Sequence, residues 1–200
     1  MKFPFFASFI VFCIWLGYEI KKHRRLEEKS MDEFWKREAA ANNTRRKPLD
    51  DLEYIRIPFD RLPMDVLADD PQVKEYHETL TSLSDNPIVN FSGISNTDLK
   101  LQYGAPNIAV LTLYDQRYTV LARTLQELAT ALYEKGYIAE ARTILEFAVS
   151  TRTDVSASYK LLITIYKELG QTEKIPDLLP VAQSLNSGLK NLIIRMIEEA

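Results

Sequence analysis

The chain has 200 residues, 46% of them hydrophobic, and a formal net charge of −3, which suits one compact globular domain plus appendages. A single cysteine, Cys13, excludes an intramolecular disulfide and any multi-cysteine metal site, and the two histidines, His23 and His77, lie too far apart in sequence for a histidine-rich metal centre. The net charge hides an asymmetry: residues 21–47 carry plus five, whereas residues 48–200 carry minus eight. An acidic main domain argues against nucleic acid as a partner, because phosphate binding needs a basic face.

The run from Phe3 to Tyr18 contains no charge and is followed closely by Lys21, Lys22, Arg24 and Arg25. Roughly twenty apolar residues cross a hydrocarbon core, so this run sits at the short end of spanning length, with Trp15 and Tyr18 placed as interfacial anchors. A cleaved secretory signal would want small residues at a cleavage site, and Gly17-Tyr18-Glu19 is poor for that. A lipoprotein signal would want small residues before Cys13, where Val11 and Phe12 stand. A buried core helix is disfavoured because the run lacks amphipathic alternation. The sequence therefore predicts an uncleaved transmembrane anchor over residues 1–20. The basic flank predicts a single-pass cell-membrane protein with its C-terminal domain facing the cytoplasm.

Residues 21–47 read as a basic juxtamembrane helix and a joint. Leu26 to Ala41 is charged and free of Gly and Pro, with Met31, Phe34 and Trp35 as sparse apolar points, and Asn42 to Pro48 ends the helix as a flexible joint. Residues 48–69 read as an extended proline-containing strap, with Leu52, Ile55, Ile57, Phe59 and Leu62 filling grooves of a helical domain. The alternative is a recognition peptide anchored by Tyr54 and Phe59. Residues 70–121 form a helical lead-in. Asp70-Pro71 is an N-cap and first-turn proline, and Val73, Tyr76, Leu80 and Leu83 share one side of the helix it opens. A short helix runs from Ser95 to Gly104. From Ile108 the positions Leu111, Tyr114, Tyr118, Leu121, Leu125, Leu128 and Leu132 follow a three-four alternation, predicting one long helix or two separated near Arg117.

Over residues 122–187 the chain repeats with a period of thirty-four: Leu128 falls on Leu162, Leu132 on Tyr166, Gly136 on Gly170, Leu145 on Leu179 and Ala148 on Ala182. Small residues at Ala129, Ala141 and Ala148 permit close helix approach, and the two glycines stand where helices stop. Each unit reads as a helical hairpin. On these residues the segment resembles the tetratricopeptide repeat (TPR) family. The first unit carries Leu125, Leu128, Ala129, Leu132, Gly136, Ala141, Leu145 and Ala148, and the second Tyr159, Leu162, Ile163, Tyr166, Gly170, Ile175, Leu179 and Ala182. Ile163 and Ile175 depart from the family's small residues, and Ser187 from its closing proline. Residues 188–200 supply a capping helix, with Leu189, Leu192, Ile193, Met196 and Ile197 on one side. The fold class is thus all-α: a transmembrane helix and stalk, then antiparallel hairpins of a right-handed α-solenoid fragment.

The adjacent carboxylates Asp50/Asp51 and Asp69/Asp70 lack the positioned partners that acid–base or metal chemistry needs. No phosphate-binding loop, dinucleotide fingerprint, nucleophile elbow or metal-binding His-Glu-x-x-His helix occurs. The sequence predicts no enzyme, no cofactor and no small-molecule substrate. In the family the first helix of each hairpin lines the concave groove. The resemblance therefore implies a partner-binding face of Arg123, Gln126, Thr130 and Tyr133 with Lys160, Thr164 and Lys167. Family members that clamp a carboxylate place Lys and Asn where Gln126 and Thr130 stand, so that clamp is not carried over. The expected function is a membrane-anchored adaptor or assembly factor that binds a partner peptide or helix. One alternative is a structural subunit assembled through anchor and stalk, and another is an exported domain tethered on the outer side.

Overall fold

The structure is a computed structural model that describes residues 4–200. All of its regular elements are helices: α1 (Pro4–Asn42), α2 (Pro71–Ser84), α3 (Asn96–Tyr103), α4 (Ile108–Glu134), α5 (Ile138–Ser150), α6 (Ser156–Glu168), α7 (Leu178–Ser184) and α8 (Lys190–Glu198). The chain is all-α, with single 3-10 turns at Ala105–Asn107 and Thr172–Lys174. Met1 to Phe3, the start of the predicted anchor, lie outside the described residues.

α1 corrects the membrane reading. Although it runs for 39 residues, no helix among the described residues is long and apolar enough to cross a membrane. The cause is in the sequence. The uncharged run ends at Tyr18, and Glu19, Lys21, Lys22, Arg24 and Arg25 follow within seven residues, whereas a span needs about twenty residues with few or no charges. The transmembrane anchor, the single-pass cell-membrane localisation and the cytoplasmic orientation read from its basic flank fall together. The segment is not core either: Phe9, Val11, Phe12, Ile14, Trp15 and Tyr18 are all more than half exposed.

Only the last turns of α1 meet the body of the protein. Glu38 accepts hydrogen bonds from Lys100 Nζ (2.5 Å) and Thr97 Oγ1 (2.5 Å), Arg37 pairs with Asp98, and Ala41 is fully buried. The segment after α1, expected as a flexible joint, is tied down. Asn107, with no exposed surface, donates through Nδ2 to the carbonyls of Lys47 (2.7 Å) and Tyr103 (2.8 Å) and accepts from Arg46 Nε (2.9 Å). Gly104, at φ +94°, ends α3 so close to this segment that a Cβ would stand 2.2 Å from the Arg45 carbonyl oxygen. Glycine is required there both for the conformation and for the space.

α4 forms the central element. Its three-four alternation is unbroken through Arg117, and Leu111, Leu121, Leu125, Leu128 and Leu132 have no exposed surface. α2 and α5 flank it, and α6 packs on α5. Ala129, Ala141 and Ala148, all fully buried, leave room for close approach. Gly136 and Gly170 adopt φ of +84° and +65° at the ends of α4 and α6, positions where a left-handed residue satisfies the last carbonyls. Asp70 caps α2 by accepting from the N–H groups of Gln72 and Val73, and pairs with Lys135 beyond the end of α4. Residues 48–69 carry no helix; Leu52 and Leu62 are buried, and Ile55, Ile57 and Phe59 pack half-buried on the cores.

The second hairpin departs from the first. Where one second helix would carry Ile175, Leu179 and Ala182, the chain makes a 3-10 turn and then the seven-residue α7. Pro176 lies between them and cannot donate a helical hydrogen bond. α8 packs on α6 and α7, burying Ile193 and Ile197 and leaving Leu189 and Leu192 exposed.

Asn107→Ala removes three hydrogen bonds made by a fully buried side chain, leaving the Lys47 carbonyl and the Arg46 guanidinium without this partner while the Tyr103 carbonyl keeps the Lys47 N–H. The variant is expected to lose about 2–4 kcal/mol in urea unfolding with an unchanged m-value; a loss below about 0.5 kcal/mol would show that water replaces these bonds.

His77 on α2 is buried, and its Nε2 has no hydrogen-bond partner among the described residues. Burial holds its pKa below the usual value, against a smaller upward pull from Asp65. The unfolded chain therefore binds a proton that the folded chain resists, and stability falls as pH drops below about 6.5. His77→Leu is expected to flatten the fall in urea midpoint between neutral pH and pH about 5. An identical slope in both proteins would remove His77 as its source. Asp70, held low by Lys135 and the Val73 N–H, and Glu38, held low by Lys100 and Thr97, lose their contributions only below the usual carboxylate range.

Candidate functional site

The seven residues expected on the first-helix face fall on α4 and α6, and Gln126 and Tyr133 of the α4 set meet α6 at residues outside the expected face. Ser158 Oγ of α6 donates to Gln126 Oε1 (2.7 Å), and Gln126 Nε2 donates to Thr130 Oγ1 (3.0 Å), which in turn donates to the Gln126 carbonyl (2.9 Å). One turn further along, Tyr133 OH donates to Glu168 Oε1 at 2.6 Å. Accepting this hydrogen bond, the Glu168 carboxylate raises the Tyr133 pKa above its ordinary value. The side chains of Gln126 and Tyr133 therefore join α4 to α6, and Thr130 holds Gln126 from within α4.

Arg123, Lys160 and Lys167 remain at the surface. Arg123 is held by Glu127 one turn on, with Nε 2.8 Å from Oε1, and this partner raises its pKa. Lys160 and Lys167 stand seven residues apart on the exposed stripe of α6, with no ion-pair partner among the described residues; Thr164 between them donates to the Lys160 carbonyl at 3.0 Å. The face is thus a ridge of outward cations beside a closed polar seam. Sequence reasoning missed Ser158 and Glu168. Both lie one hairpin away from their partners, and the only available signal was their offset of about one repeat from Gln126 and Tyr133.

The opposite side of the hairpins is fastened by its own cluster. Tyr166 OH donates to Glu146 Oε1 (3.1 Å), Arg142 Nη1 donates to Gln171 Oε1 (2.9 Å), and Lys174 Nζ lies 5.7 Å from the Tyr166 ring centre. Burial, then the Glu146 charge, push the Tyr166 phenol well above its usual pKa, so it serves as a neutral donor. Among the described residues no three His, Cys, Asp or Glu side chains gather as metal ligands. The exposed thiol of Cys13 lies on α1, away from the hairpins.

No protein-family model matches the chain, and no curated protein or solved structure matches it.

If the polar seam orders α4 against α6, a double-mutant cycle of Gln126→Ala and Ser158→Ala will return a coupling of about 1 kcal/mol. Additive losses would instead make the seam incidental to helix placement.

Proposed function

We propose that residues 122–200 form two TPR-like hairpins closed by α8, and that they work as a protein–protein interaction module, an adaptor or assembly factor holding a partner peptide or helix. The observation that supports this reading best is the pairing of α4 with α6 through Gln126–Ser158 and Tyr133–Glu168. It sets two first helices side by side, as the family's binding face requires, and leaves Arg123, Lys160 and Lys167 outward. The seam supplies rigidity, so a partner would meet a surface already in place and lose less freedom on binding. The non-catalytic reading rests on the sequence, which carries none of the motifs that hold reacting groups.

A second reading, a structural subunit assembled through α1, draws on one observation. Among the described residues, α1 touches the body only near its C-terminal end, and Phe9 to Tyr18, Ile20, Phe34 and Trp35 remain exposed. Two variants separate the readings: a chain lacking residues 1–30, which keeps Arg37, Glu38 and Ala41, and the full chain with Arg123→Ala, Tyr133→Ala and Lys160→Ala. Partners would be identified by crosslinking in the source cell, and their affinities measured with purified proteins. The adaptor reading expects the triple variant to weaken binding by at least about tenfold and the truncation to leave it intact. The opposite pattern would assign assembly to α1.

A further inference from the structure

A concavity lies away from the first-helix face, where four loop segments converge. Residues 51–55 of the strap, 89–94 before α3, 150–154 between α5 and α6, and 184–187 between α7 and α8 enclose about 440 Å³. A second concavity of about 540 Å³ shares Tyr54 and Ile55 with the first and continues along the strap past Phe59 to Pro87. Together they make a track of the shape an extended chain occupies.

The walls are held in place. Asn90 Nδ2 donates to the carbonyls of Thr151 (2.9 Å) and Arg152 (3.0 Å), Tyr118 OH also donates to Thr151 (3.2 Å), and Ile55 N–H donates to the Ile88 carbonyl (2.9 Å). Gly93, at φ +77°, approaches Asn186 so closely that a Cβ would stand 2.3 Å from its carbonyl oxygen. A cavity built from pinned loops keeps its shape when empty, which lowers the cost of filling it.

The charges of the lining point to one class of ligand. Asp51, Glu53 and Asp154 face a single cation, Arg152. Arg152 adopts φ +60°, a conformation uncommon outside glycine, and its Nη1 reaches Glu53 at 3.0 Å. Asp154 is half-buried, lies next to the start of α6, and has no hydrogen-bond or ion-pair partner among the described residues. The lining therefore keeps an excess of negative charge after Arg152 is paired, and an anion is disfavoured. A divalent metal lacks a three-ligand cluster. The rings of Tyr54, Phe91 and Tyr103 complete the lining, and aromatic faces suit an organic cation carried on an alkyl stem.

We propose that this cleft receives the lysine or arginine side chain of an extended partner peptide, the unpaired Asp154 taking the charge beside the Arg152–Glu53 pair while Tyr54 and Phe91 cover the stem. The peptide backbone then follows the strap into the second concavity. This site differs from the first-helix face and reads out on different residues.

The probes are three acetylated, amidated pentapeptides with alanine at every position except the third, which is arginine, glutamine or glutamate. Each is titrated to millimolar concentration into the isotopically labelled full chain. With the arginine peptide, the amide signals of Gly93, Arg152 and Asn186 are expected to shift saturably. The glutamine peptide should bind about tenfold more weakly and the glutamate peptide should leave these signals unmoved. Asp154→Asn should weaken the arginine peptide by about tenfold, with thermal melting as the control for folding, and Glu53→Gln, which leaves the Arg152 cation unpaired in the cleft, should weaken it likewise. Equal responses to the three peptides, no response to the arginine peptide, or wild-type affinity in both variants would overturn the proposal. Shifts confined to Arg123, Tyr133 and Lys160 would overturn it too, while leaving the first-helix face as a binding surface.

Discussion

Everything in the body of this protein depends on the continuous buried stripe of α4. A helix of 27 residues is about 40 Å long, and its leucines from Leu111 to Leu132 meet different neighbours along that length. Near its start they close the smaller core with Leu52, Val89, Phe91 and Leu99; further on they meet α2, the strap, α5 and α6. Because one rigid rod passes through both cores, neither can shift without the other. The register between the lead-in and the hairpins is therefore set by helix geometry, not by a linker.

Loops in such a structure need their own fastening, and asparagine supplies it twice. Asn107 bridges the segment after α1 to the turn before α4, and Asn90 bridges the loop before α3 to the end of α5. An amide side chain donates two hydrogen bonds while its oxygen accepts a third, which suits it to carbonyls left over at helix ends. Where even a side chain is too large, Gly104 and Gly93 let backbone meet backbone. These two positions need glycine for space as well as for φ, whereas Gly136 and Gly170 face open space and need it for φ alone.

The polar residues of the hairpins divide into those that hold the structure and those left free. Gln126, Thr130 and Tyr133 bond within the α4–α6 seam, while Lys160 and Lys167 keep their charges in water. The same division runs through the loop cleft, where Arg152 and Glu53 satisfy one another and Asp154 does not. Unsatisfied charge beside satisfied neighbours is the physical distinction on which both binding readings rest.

The sequence by itself determined the helical elements of the body, their caps and the turn glycines. Those properties are local: three-four alternation, Asp70 before Pro71, Ser95 before α3, and glycine where φ turns positive are decided within a few residues. It also misled. The apolar run near the N-terminus read as a membrane span, though charge follows it too closely, and the thirty-four-residue period implied a second helix that Pro176 interrupts. Tertiary structure alone decided that Gln126 would meet Ser158, that Asn107 would tie down the segment after α1, and that four distant loops would enclose a cleft. Such contacts join residues some thirty to more than a hundred positions apart. A pattern of period 3.6 says which face of a helix is buried, but carries no information about which other face will cover it.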